Sequence, residues 1–509
     1  MKKLPIGIST LRDIIDDGYV YIDKTQHAYK LITEGKYYFL SRPRRFGKSL
    51  FLDTLKEIFQ GNKELFKGLY IYDKYDFDRH PVIRISFNDG KYTSKETLND
   101  SMFKILRFNE EQLGISSSAA KYPSFCFEDL IIKAYEKYGK QVVILIDEYD
   151  KPILDNIEDT EIARQMREEL KNFYSVIKGA DEYLRFAFLT GVSKFSKVSL
   201  FSGLNNLNDI TVDRNYATIC GYTQADIETS FDEHLQGQDF AKIREWYNGY
   251  SWLGESVYNP FDILLFISNN YHYDNYWFST ATPTFLLKLI EKNQYFLPNL
   301  ENIVADSTLL DSFDVDNIKL ETLMWQTGYL TIREYFEGAK GMRYKLSLPN
   351  REVQISLFSH IANYITKNHQ SELEQENVYN ALVSFDFEKL EVNIKALFAS
   401  IPYNLFTNNR MYKYEGYYVS VFYAYLKALG IKITAEDVTN KGRIDLTLKL
   451  PNATYVTEFK VDGSDALSQL KSMKYHEKYL NENKPVYLIG INFDTSERNI
   501  SKIEWEQIK

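Results

Sequence analysis

Cysteine is scarce in this sequence: Cys126 and Cys220 are the only two among 509 residues. A single pair offers no disulfide framework, and no C-x-x-C pair is present to bind a structural metal. The sequence also lacks any run of about 20 apolar residues, the length that a membrane-spanning helix needs. The first residues, MKKLPIGIST, include no apolar core, so we expect no signal peptide. These absences predict a soluble, cytoplasmic protein with no membrane partner.

An excess of positive charge is absent as well. The chain has 61 Lys and Arg residues against 70 Asp and Glu residues, which gives a net charge of -9. This balance argues against a uniformly basic nucleic-acid coat protein, although it leaves a local basic groove open. Hydrophobic residues make up 44% of the chain, so extended disorder is excluded for most of it. The length itself predicts about three domains.

Short apolar segments alternate with amphipathic segments in the N-terminal part of the chain. Four runs of β-branched, Leu or aromatic residues are predicted strands: residues 37–40, 82–87, 142–146 and 184–189. Amphipathic stretches at 49–59 and 162–177 are predicted helices. The strands at 142–146 and 184–189 show no polar alternation, which indicates burial on both faces. The pattern predicts an α/β fold with a parallel sheet and crossover helices.

The rest of the chain is predicted to divide into helical and β-rich parts. Residues 221–291 are helical and rich in Tyr and Trp, and residues 309–348 indicate helices followed by a β-rich piece, as in a winged-helix module. Residues 351–397 are helical again. An aromatic helix at 412–429 then precedes a second α/β unit, with three predicted strands: residues 444–450, 454–461 and 486–492.

A phosphate-binding loop is predicted after the first strand. It ends in Gly47, Lys48 and Ser49, the tail of a Walker A motif, immediately before a helix. The glycine lets the backbone approach phosphate, the lysine reaches the β- and γ-phosphates, and the serine hydroxyl can ligate Mg²⁺. The motif departs from the usual pattern at Arg42, where a glycine is expected.

An acidic pair supplies the second half of a nucleotide site. Asp147 and Glu148 follow an apolar strand, as in a Walker B motif, where the first acid holds the Mg²⁺ shell and the second polarises the attacking water. A solvated acidic turn is the alternative, but the combination with the Walker A residues favours nucleotide binding. After the next strand, Thr190 and Ser193 are candidates to sense the γ-phosphate, or else they cap the strand end.

Two acids and a lysine are predicted on a hairpin near the C-terminus, in the pattern D-x12-E-x-K. Glu458 and Lys460 share one face of their strand, and Asp445 can reach this face from the preceding strand. The carboxylates can hold Mg²⁺ and the lysine can orient or activate water, which suits phosphodiester hydrolysis. A charged surface hairpin is the alternative, although buried charges would be costly without a metal or a partner. Neighbouring helices offer three more polar side chains: Glu415, Gln469 and Tyr475.

These motifs resemble those of the bacterial AAA-ATPase-like proteins fused to a C-terminal PD-(D/E)XK nuclease-superfamily domain. The resemblance extends over nearly the whole chain. It rests on the following segments: Gly7-Ile8-Ser9, Tyr21-Ile22-Asp23-Lys24-Thr25, Arg42 to Ser49, Asp147-Glu148-Tyr149-Asp150, Leu189 to Phe195, Trp246-Tyr247-Asn248-Gly249-Tyr250, Tyr258-Asn259-Pro260, Leu348-Pro349-Asn350, Thr439 to Asp445 and Glu458-Phe459-Lys460.

The resemblance implies that the arginine at Arg42 is usual for the family and that ATP and Mg²⁺ bind in the N-terminal domain. The implied cofactor-binding residues are Arg45, Phe46, Gly47, Lys48, Ser49, Asp147 and Thr190. The implied metal ligands are Ser49 and Asp147 for the nucleotide and Asp445 and Glu458 for the nuclease. Arg42, Arg44 and Arg45 contact phosphates or brace the loop, and Asp23-Lys24-Thr25 is expected near the nucleotide with no contact assigned.

The resemblance also implies an order of domains along the chain. They are an AAA-like ATPase domain at 1–215, a helical lid at 216–295, a winged-helix-like module at 296–360, a helical connector at 361–400 and a PD-(D/E)XK nuclease-like domain at 401–509.

The function implied is a STAND-like ATP switch that controls a Mg²⁺-dependent nuclease cutting DNA, or RNA. Its catalytic residues would be Glu148, Asp445, Glu458 and Lys460. The alternative is a switch or partner-binding module whose nuclease-like domain binds nucleic acid or protein without cleaving it. A translocating motor is a third hypothesis, which no helicase-type motif supports. A second copy of the chain and a regulatory protein stay open as partners.

Overall fold

The computed structural model describes residues 1–117, 121–194, 206–278, 284–293, 295–311, 314–366, 371–401, 414–463 and 465–509. The chain forms two compact units, the first made of Met1–Thr280 and Ile303–Asn350 and the second of Ala281–Asn302 and Arg351–Lys509. None of the helices in these ranges combines the length and apolar character that crossing a bilayer requires. The finer division into five segments stays a prediction.

A parallel sheet forms the centre of the first unit. Its strands are β1 (Tyr37–Ser41), β2 (Val82–Ser86), β3 (Val142–Asp147), β4 (Leu184–Gly191) and β5 (Asn208–Asp209). They lie in the order β2-β3-β4-β1-β5, and every neighbouring pair is parallel. All residues of β1 and β3 are buried, as their unbroken apolar sequence indicates. The four predicted strands and their parallel arrangement are confirmed.

Helices account for most of the remaining secondary structure. In chain order they are α1 (Leu11–Asp16), α2 (Thr25–Glu34), α3 (Lys48–Phe59), α4 (Lys95–Leu113), α5 (Pro123–Tyr138), α6 (Lys151–Leu154), α7 (Thr160–Gly179), α8 (Gln224–Ser230), α9 (Asp232–Leu235), α10 (Phe240–Tyr247), α11 (Pro260–Ser268), α12 (Thr284–Lys292), α13 (Ser307–Asp311), α14 (Leu320–Thr327), α15 (Arg351–Thr366), α16 (Ser371–Val383), α17 (Phe387–Ala399), α18 (Glu415–Ala428) and α19 (Ala466–Met473). The predicted helices at 49–59 and 162–177 are confirmed as α3 and α7. The start of the helix predicted at 412–429 lies outside the described residues, and α18 forms the rest.

A small antiparallel sheet completes the first unit. Its strands are β6 (Ile303–Asp306), β7 (Thr331–Gly338) and β8 (Gly341–Ser347), in the order β6-β8-β7. Helices α13 and α14 precede β7 and β8, as the sequence predicts for residues 309–348, whereas β6 before these helices is not part of that prediction. The strand β6 is short and follows a Pro-containing turn, which is why its apolar pattern gives little signal.

Two of the quoted motifs meet at Gly249, which has a backbone φ of 127°. A Cβ atom there would collide with the carbonyl oxygen of Pro349, so only glycine allows this approach. The guanidinium of Arg333 donates to the carbonyl of Pro349 and, at 2.8 Å, to that of Leu348. The motif around Gly249 is therefore fastened to the end of the first unit, where the chain continues into α15.

A mixed sheet forms the centre of the second unit. Its strands are β9 (Lys432–Val438), β10 (Arg443–Lys449), β11 (Thr454–Val461), β12 (Val486–Asp494) and β13 (Asn499–Gln507). They lie in the order β13-β12-β11-β10-β9, with β11 and β12 parallel and the other pairs antiparallel. The three predicted strands are confirmed as β10, β11 and β12. The two edge strands were not predicted, because their alternation of charged and apolar residues is a weaker signal.

Candidate nucleotide and metal sites

A cavity of about 670 Å³ opens beside the predicted phosphate loop in the first unit. This volume lies in the usual range of ligand sites, about 300–1,000 Å³. Gly47, Lys48 and Ser49 line it at one side, with Glu148 from the end of β3. Its apolar wall includes Ile8, Val20, Ile22, Tyr222 and Leu264. One polar and one apolar side suit a ligand that carries both phosphates and a flat base.

Gly47 allows the loop to turn directly into α3. Its φ is 93°, in the left-handed region that favours glycine, and the helix begins at the next residue. The first backbone amides of a helix have no partner within the helix and carry its positive dipole end. Because Ser49 lies in this first turn and lines the cavity, its amide and hydroxyl are available to phosphate or to a metal.

Arg42 braces the loop from behind. Its side chain is fully buried, and its guanidinium donates to the carbonyls of Ser41, Thr211 and Tyr216 at 2.9, 2.8 and 3.2 Å. The guanidinium also stacks over the ring of Trp252, 4.0 Å from its centroid. The residue that replaces the usual glycine is therefore a structural element that ties the loop to neighbouring segments. Of the two hypotheses for the arginines, bracing describes Arg42.

The following loop residues differ in what they offer to the cavity. Arg44 and Arg45 are exposed, and Arg45 has a φ of 67° with its guanidinium 4.9 Å from the ring centroid of Phe261. Phe46 is buried, with its ring 4.8 Å from that of Tyr250, so its backbone is the part that a ligand could reach. The charges of Arg44 and Arg45 are thus free to approach a phosphate, whereas Phe46 anchors the loop.

The side chain of Lys48 is enclosed by the phosphate loop. Its ammonium donates to the carbonyls of Arg42 and Pro43, both at 2.9 Å. Burial lowers the pKa of Lys48, and the nearby carboxylate of Asp147 opposes this shift. The ammonium group is therefore held by the loop itself at the position where a phosphate chain would pass.

Asp147 supplies a carboxylate oxygen that fits a metal ion. The side chain is fully buried, and its Oδ1 accepts a hydrogen bond from the amide of Glu148 at 3.0 Å. Its Oδ2 is buried and has no hydrogen-bond partner among the described residues. A buried carboxylate oxygen without a donor is costly, and a bound cation removes this cost. Asp147 and Ser49 are thus residues that could hold Mg²⁺.

Glu148 is held by a residue that the sequence analysis missed. It has a φ of 49°, and burial raises the pKa of its carboxyl group while Lys48 opposes the rise. With the Asn88 amide oriented by its hydrogen bonds, its nitrogen lies 2.7 and 2.6 Å from the two Glu148 oxygens. Asn88 follows β2, which neighbours β3. A polar residue after an adjacent strand was the signal available in the sequence.

The two hydroxyls proposed as phosphate sensors have partners inside the protein. Thr190 is fully buried, and its hydroxyl donates to the carbonyl of Leu40 at 2.9 Å. Ser193 donates its hydroxyl to the buried carboxylate of Asp150, which also accepts from the Ser193 amide at 2.6 Å. These contacts fix the end of β4 rather than aim either hydroxyl at the cavity. Phe195, the last residue of this motif, lies outside the described residues.

The Asp23-Lys24-Thr25 segment reaches the cavity through its lysine. The carboxylate of Asp23 accepts from the amide and hydroxyl of Thr25, at 2.8 and 2.7 Å, and from the amide of Tyr70 at 2.7 Å. Lys24 lines the cavity and pairs with Asp226 at 2.8 Å. Asp23 and Thr25 therefore shape the turn, and Lys24 adds positive charge near the ligand.

The second unit brings Asp445, Glu458 and Lys460 together. The pairing of Leu446 with Thr457 places Asp445 and Glu458 opposite each other on β10 and β11. The carboxylate of Asp445 accepts from the amide of Phe459 at 2.8 Å. Lys460 donates to Glu458 at 3.0 Å, to Glu415 of α18 at 3.3 Å and to the carbonyl of Phe459 at 2.7 Å. Glu458 and Glu415 therefore share the ammonium group of Lys460, and Asp445 lies beside them.

Glu458 has one satisfied and one unsatisfied carboxylate oxygen. Its Oε1 accepts from Lys460 and from the amide of Gln469, and its buried Oε2 has no hydrogen-bond partner in the described part of the chain. Gly490, the β12 neighbour of Glu458, lets α19 approach: a Cβ there would lie 2.5 Å from the amide nitrogen of Leu467. The glycine therefore brings Gln469 within reach of Glu458.

Burial raises the pKa of both acids, and the hydrogen bonds from the Phe459 amide to Asp445 and from Lys460 to Glu458 offset only part of the rise. Burial raises the pKa of Asp445 to about 6 and, with the Asp445 charge, that of Glu458 to about 7. Within the described ranges, no three Asp, Glu, His or Cys residues form a metal-binding group. Two carboxylates with several waters suit Mg²⁺. Tyr475 belongs instead to the apolar core of this unit, so it does not join the acids.

A parallel sheet with a phosphate loop and acidic pair, together with an acid–acid–lysine hairpin in a second unit, defines an ATPase-like protein with a nuclease-like domain. Family models agree: the "Predicted AAA-ATPase" model matches residues 5–201, and the PD-(D/E)XK nuclease superfamily model matches residues 413–503. The chain belongs to the family of AAA-ATPase-like proteins fused to a PD-(D/E)XK nuclease-superfamily domain.

A relative is known over nearly the full length. It is described as "Uncharacterized protein in vnfD 5'region" from Azotobacter chroococcum mcd 1, and it is 47% identical over 506 residues, which cover 98% of each chain. No solved structure matches the chain. The similarity therefore extends through both units and the segments between the two matched domains.

Proposed function

We propose that the protein is an ATP-binding and ATP-hydrolysing switch that controls a Mg²⁺-dependent nuclease domain acting on DNA. The observation that carries the proposal is the same in both units. Each presents a buried carboxylate oxygen, on Asp147 and on Glu458, that accepts no hydrogen bond from the described residues and lies beside a lysine and a second acid. Two such sites in one chain support two chemical steps on phosphate groups.

In the first unit, the protein's own groups bind and orient the nucleotide. The amides at the start of α3 and the ammonium of Lys48 hold the phosphates, and the apolar wall of the cavity holds the base. Ser49 and Asp147 would hold Mg²⁺, which would neutralise phosphate charge. Glu148 accepts a hydrogen bond from the attacking water, and Asn88 sets the orientation of its carboxylate. Thr190 and Ser193 keep the end of β4 in place.

In the second unit, Asp445 and Glu458 would hold Mg²⁺. The metal supplies charge neutralisation at the phosphate when bound. Lys460 orients the attacking water, and Glu415 keeps its ammonium group near the acids. The side-chain amide of Gln469 donates a hydrogen bond to Oε1 of Glu458, so that Oε2 is the oxygen left for the metal. The contacts among Asp445, Glu458, Lys460, Glu415 and Gln469 support these roles.

The alternative is a switch whose nuclease-like domain binds nucleic acid or protein without cleaving it. It is favoured by one observation: the ammonium of Lys460 already donates to three acceptors, so it also serves as a structural counter-ion. The net charge of -9 agrees with a binding partner other than nucleic acid. The absence of cleavage by a protein that binds DNA would favour this alternative.

Incubation of the purified chain with plasmid DNA, single-stranded DNA and RNA tests the proposal, with and without ATP and Mg²⁺. We expect Mg²⁺-dependent cleavage that is lost in Asp445→Asn and Glu458→Gln and altered in its ATP dependence in Lys48→Ala. Glu482→Gln is a matched control, because this acid pairs with Lys449 in the same unit at 2.8 Å. Equal cleavage by Glu458→Gln and the wild type would refute the nuclease assignment.

A further inference from the structure

Arg443 lies on the same face of the sheet as the candidate metal ligands. It begins β10 two residues before Asp445, and alternate residues of a strand point to the same side. Its side chain is 61% exposed, unlike the buried Glu458 beside Asp445. The guanidinium of Arg443 is thus a positively charged, solvent-exposed group at the edge of the acid cluster.

An unusual backbone position holds this arginine. Glu436 of β9 has a φ of 48°, which is rare for a residue with a side chain and costs energy within a strand. The pairs Asp437–Ile444 and Ala435–Leu446 place Glu436 opposite Asp445. From there its carboxylate pairs with Arg443 at 3.2 Å. The residue with the unusual backbone conformation is thus the one that pairs with Arg443.

The acid cluster carries more negative than positive charge, so a further cation beside it is favourable. Asp445, Glu458 and Glu415 surround a single lysine, and a nucleic-acid backbone would bring further negative charge. A guanidinium has five donors in a planar fork that fits phosphate. One ion pair with Glu436 leaves donors that face solvent.

We propose that Arg443 binds a backbone phosphate of the nucleic acid, next to the phosphate that faces Asp445 and Glu458, and that Glu436 orients the guanidinium for this contact. The inference deepens the proposed nuclease function and rests on it. A surface ion pair with no ligand role would explain the contact but not the strained backbone that places it beside the site.

Salt-dependent binding tests the contact without requiring cleavage. Fluorescence anisotropy of a fluorescein-labelled DNA duplex is measured over a series of KCl concentrations in EDTA, with the full-length wild type, Arg443→Ala and Arg443→Lys. Lys449→Ala is the matched control: Lys449 lies on the same strand and face, at its other end, and pairs with Glu482 at 2.8 Å. Thermal unfolding of each variant shows whether it is folded.

We expect the slope of log Kd against log salt to fall by about 0.9 in Arg443→Ala, the loss of one phosphate contact. Arg443→Lys should keep the slope, because it keeps the charge, and Lys449→Ala should match the wild type. An unchanged slope in Arg443→Ala, an equal loss in Lys449→Ala, or no DNA binding by the wild type overturns the proposal. Failure of the nuclease function is separate: the wild type would bind DNA with the arginine-dependent slope but not cleave it with Mg²⁺.

Discussion

Replacing Arg42 by methionine should destabilise the first unit strongly. Hydrogen bonds from a charged donor contribute about 1.5–3 kcal/mol each, so the three to Ser41, Thr211 and Tyr216 contribute about 6 kcal/mol. Stacking on Trp252 adds about 2 kcal/mol in a buried site. Against this, burial lowers the pKa of Arg42 to about 10, a cost of about 3 kcal/mol. The expected loss is therefore about 5 kcal/mol.

Thermal unfolding followed by tryptophan fluorescence measures this effect, since four of the five tryptophans, Trp246, Trp252, Trp277 and Trp325, belong to the first unit. We expect the midpoint of this unit to fall by about 10 °C. Arg44→Met is the control, because Arg44 is exposed in the same loop and should leave the midpoint unchanged. Equal midpoints for Arg42→Met and the wild type, with weaker ATP binding, would refute the bracing role and place Arg42 at the nucleotide.

Three further predictions concern the two sites. Asn88→Ala should lower the kcat of ATP hydrolysis about tenfold or more while the Kd for ATP stays within about twofold, because Asn88 contacts Glu148 and not the phosphate loop; a parallel loss of affinity would contradict this. In EDTA, the second unit should lose stability as the pH rises from about 5 to about 7, because Asp445 and Glu458 have raised pKa values and their protonated forms favour the fold. Mg²⁺ should remove this loss, and a midpoint that rises with pH in EDTA would show that the acids are not buried as described. Gly490→Ala should weaken Mg²⁺ binding by the second unit in calorimetry, since the added Cβ displaces α19 and Gln469; unchanged affinity would separate Gln469 from the metal site.

The sequence predicts best those elements whose formation depends on a single physical effect. Residues 142–146 of β3 are an unbroken apolar run, and β4 is buried except at the partly buried Arg185, because both faces of these strands are covered. The Walker B acids lie at a strand end, and the D-x12-E-x-K residues lie along two paired strands, so strand geometry determines their positions. Their chemistry follows from residue type. Because side chains alternate along a strand, the sequence alone predicts that Asp445, Glu458 and Lys460 lie on one face of the sheet.

The contacts that escaped prediction depend on distant parts of the chain. Asn88 reaches Glu148 because β2 and β3 are neighbours, and strand order cannot be read from apolar periodicity. The sequence shows that Arg42 departs from the Walker pattern, but its bracing contacts could not be predicted because the acceptors on Thr211 and Tyr216 lie 169 and 174 residues away in the chain. The hydroxyls of Thr190 and Ser193 sit at the expected strand end, but Leu40 and Asp150 satisfy them. A motif position does not specify the direction in which a side chain points.

The contact between Gly249 and Pro349 connects the segment that packs on the phosphate loop to the end of the first unit. Phe46 packs on Tyr250, the residue next to Gly249, and Arg42 stacks on Trp252. Gly249 lets this ring-bearing segment pack with its backbone against Pro349, because no side chain separates the two. The phosphate loop and the residue before Asn350 therefore belong to one packed block of the first unit.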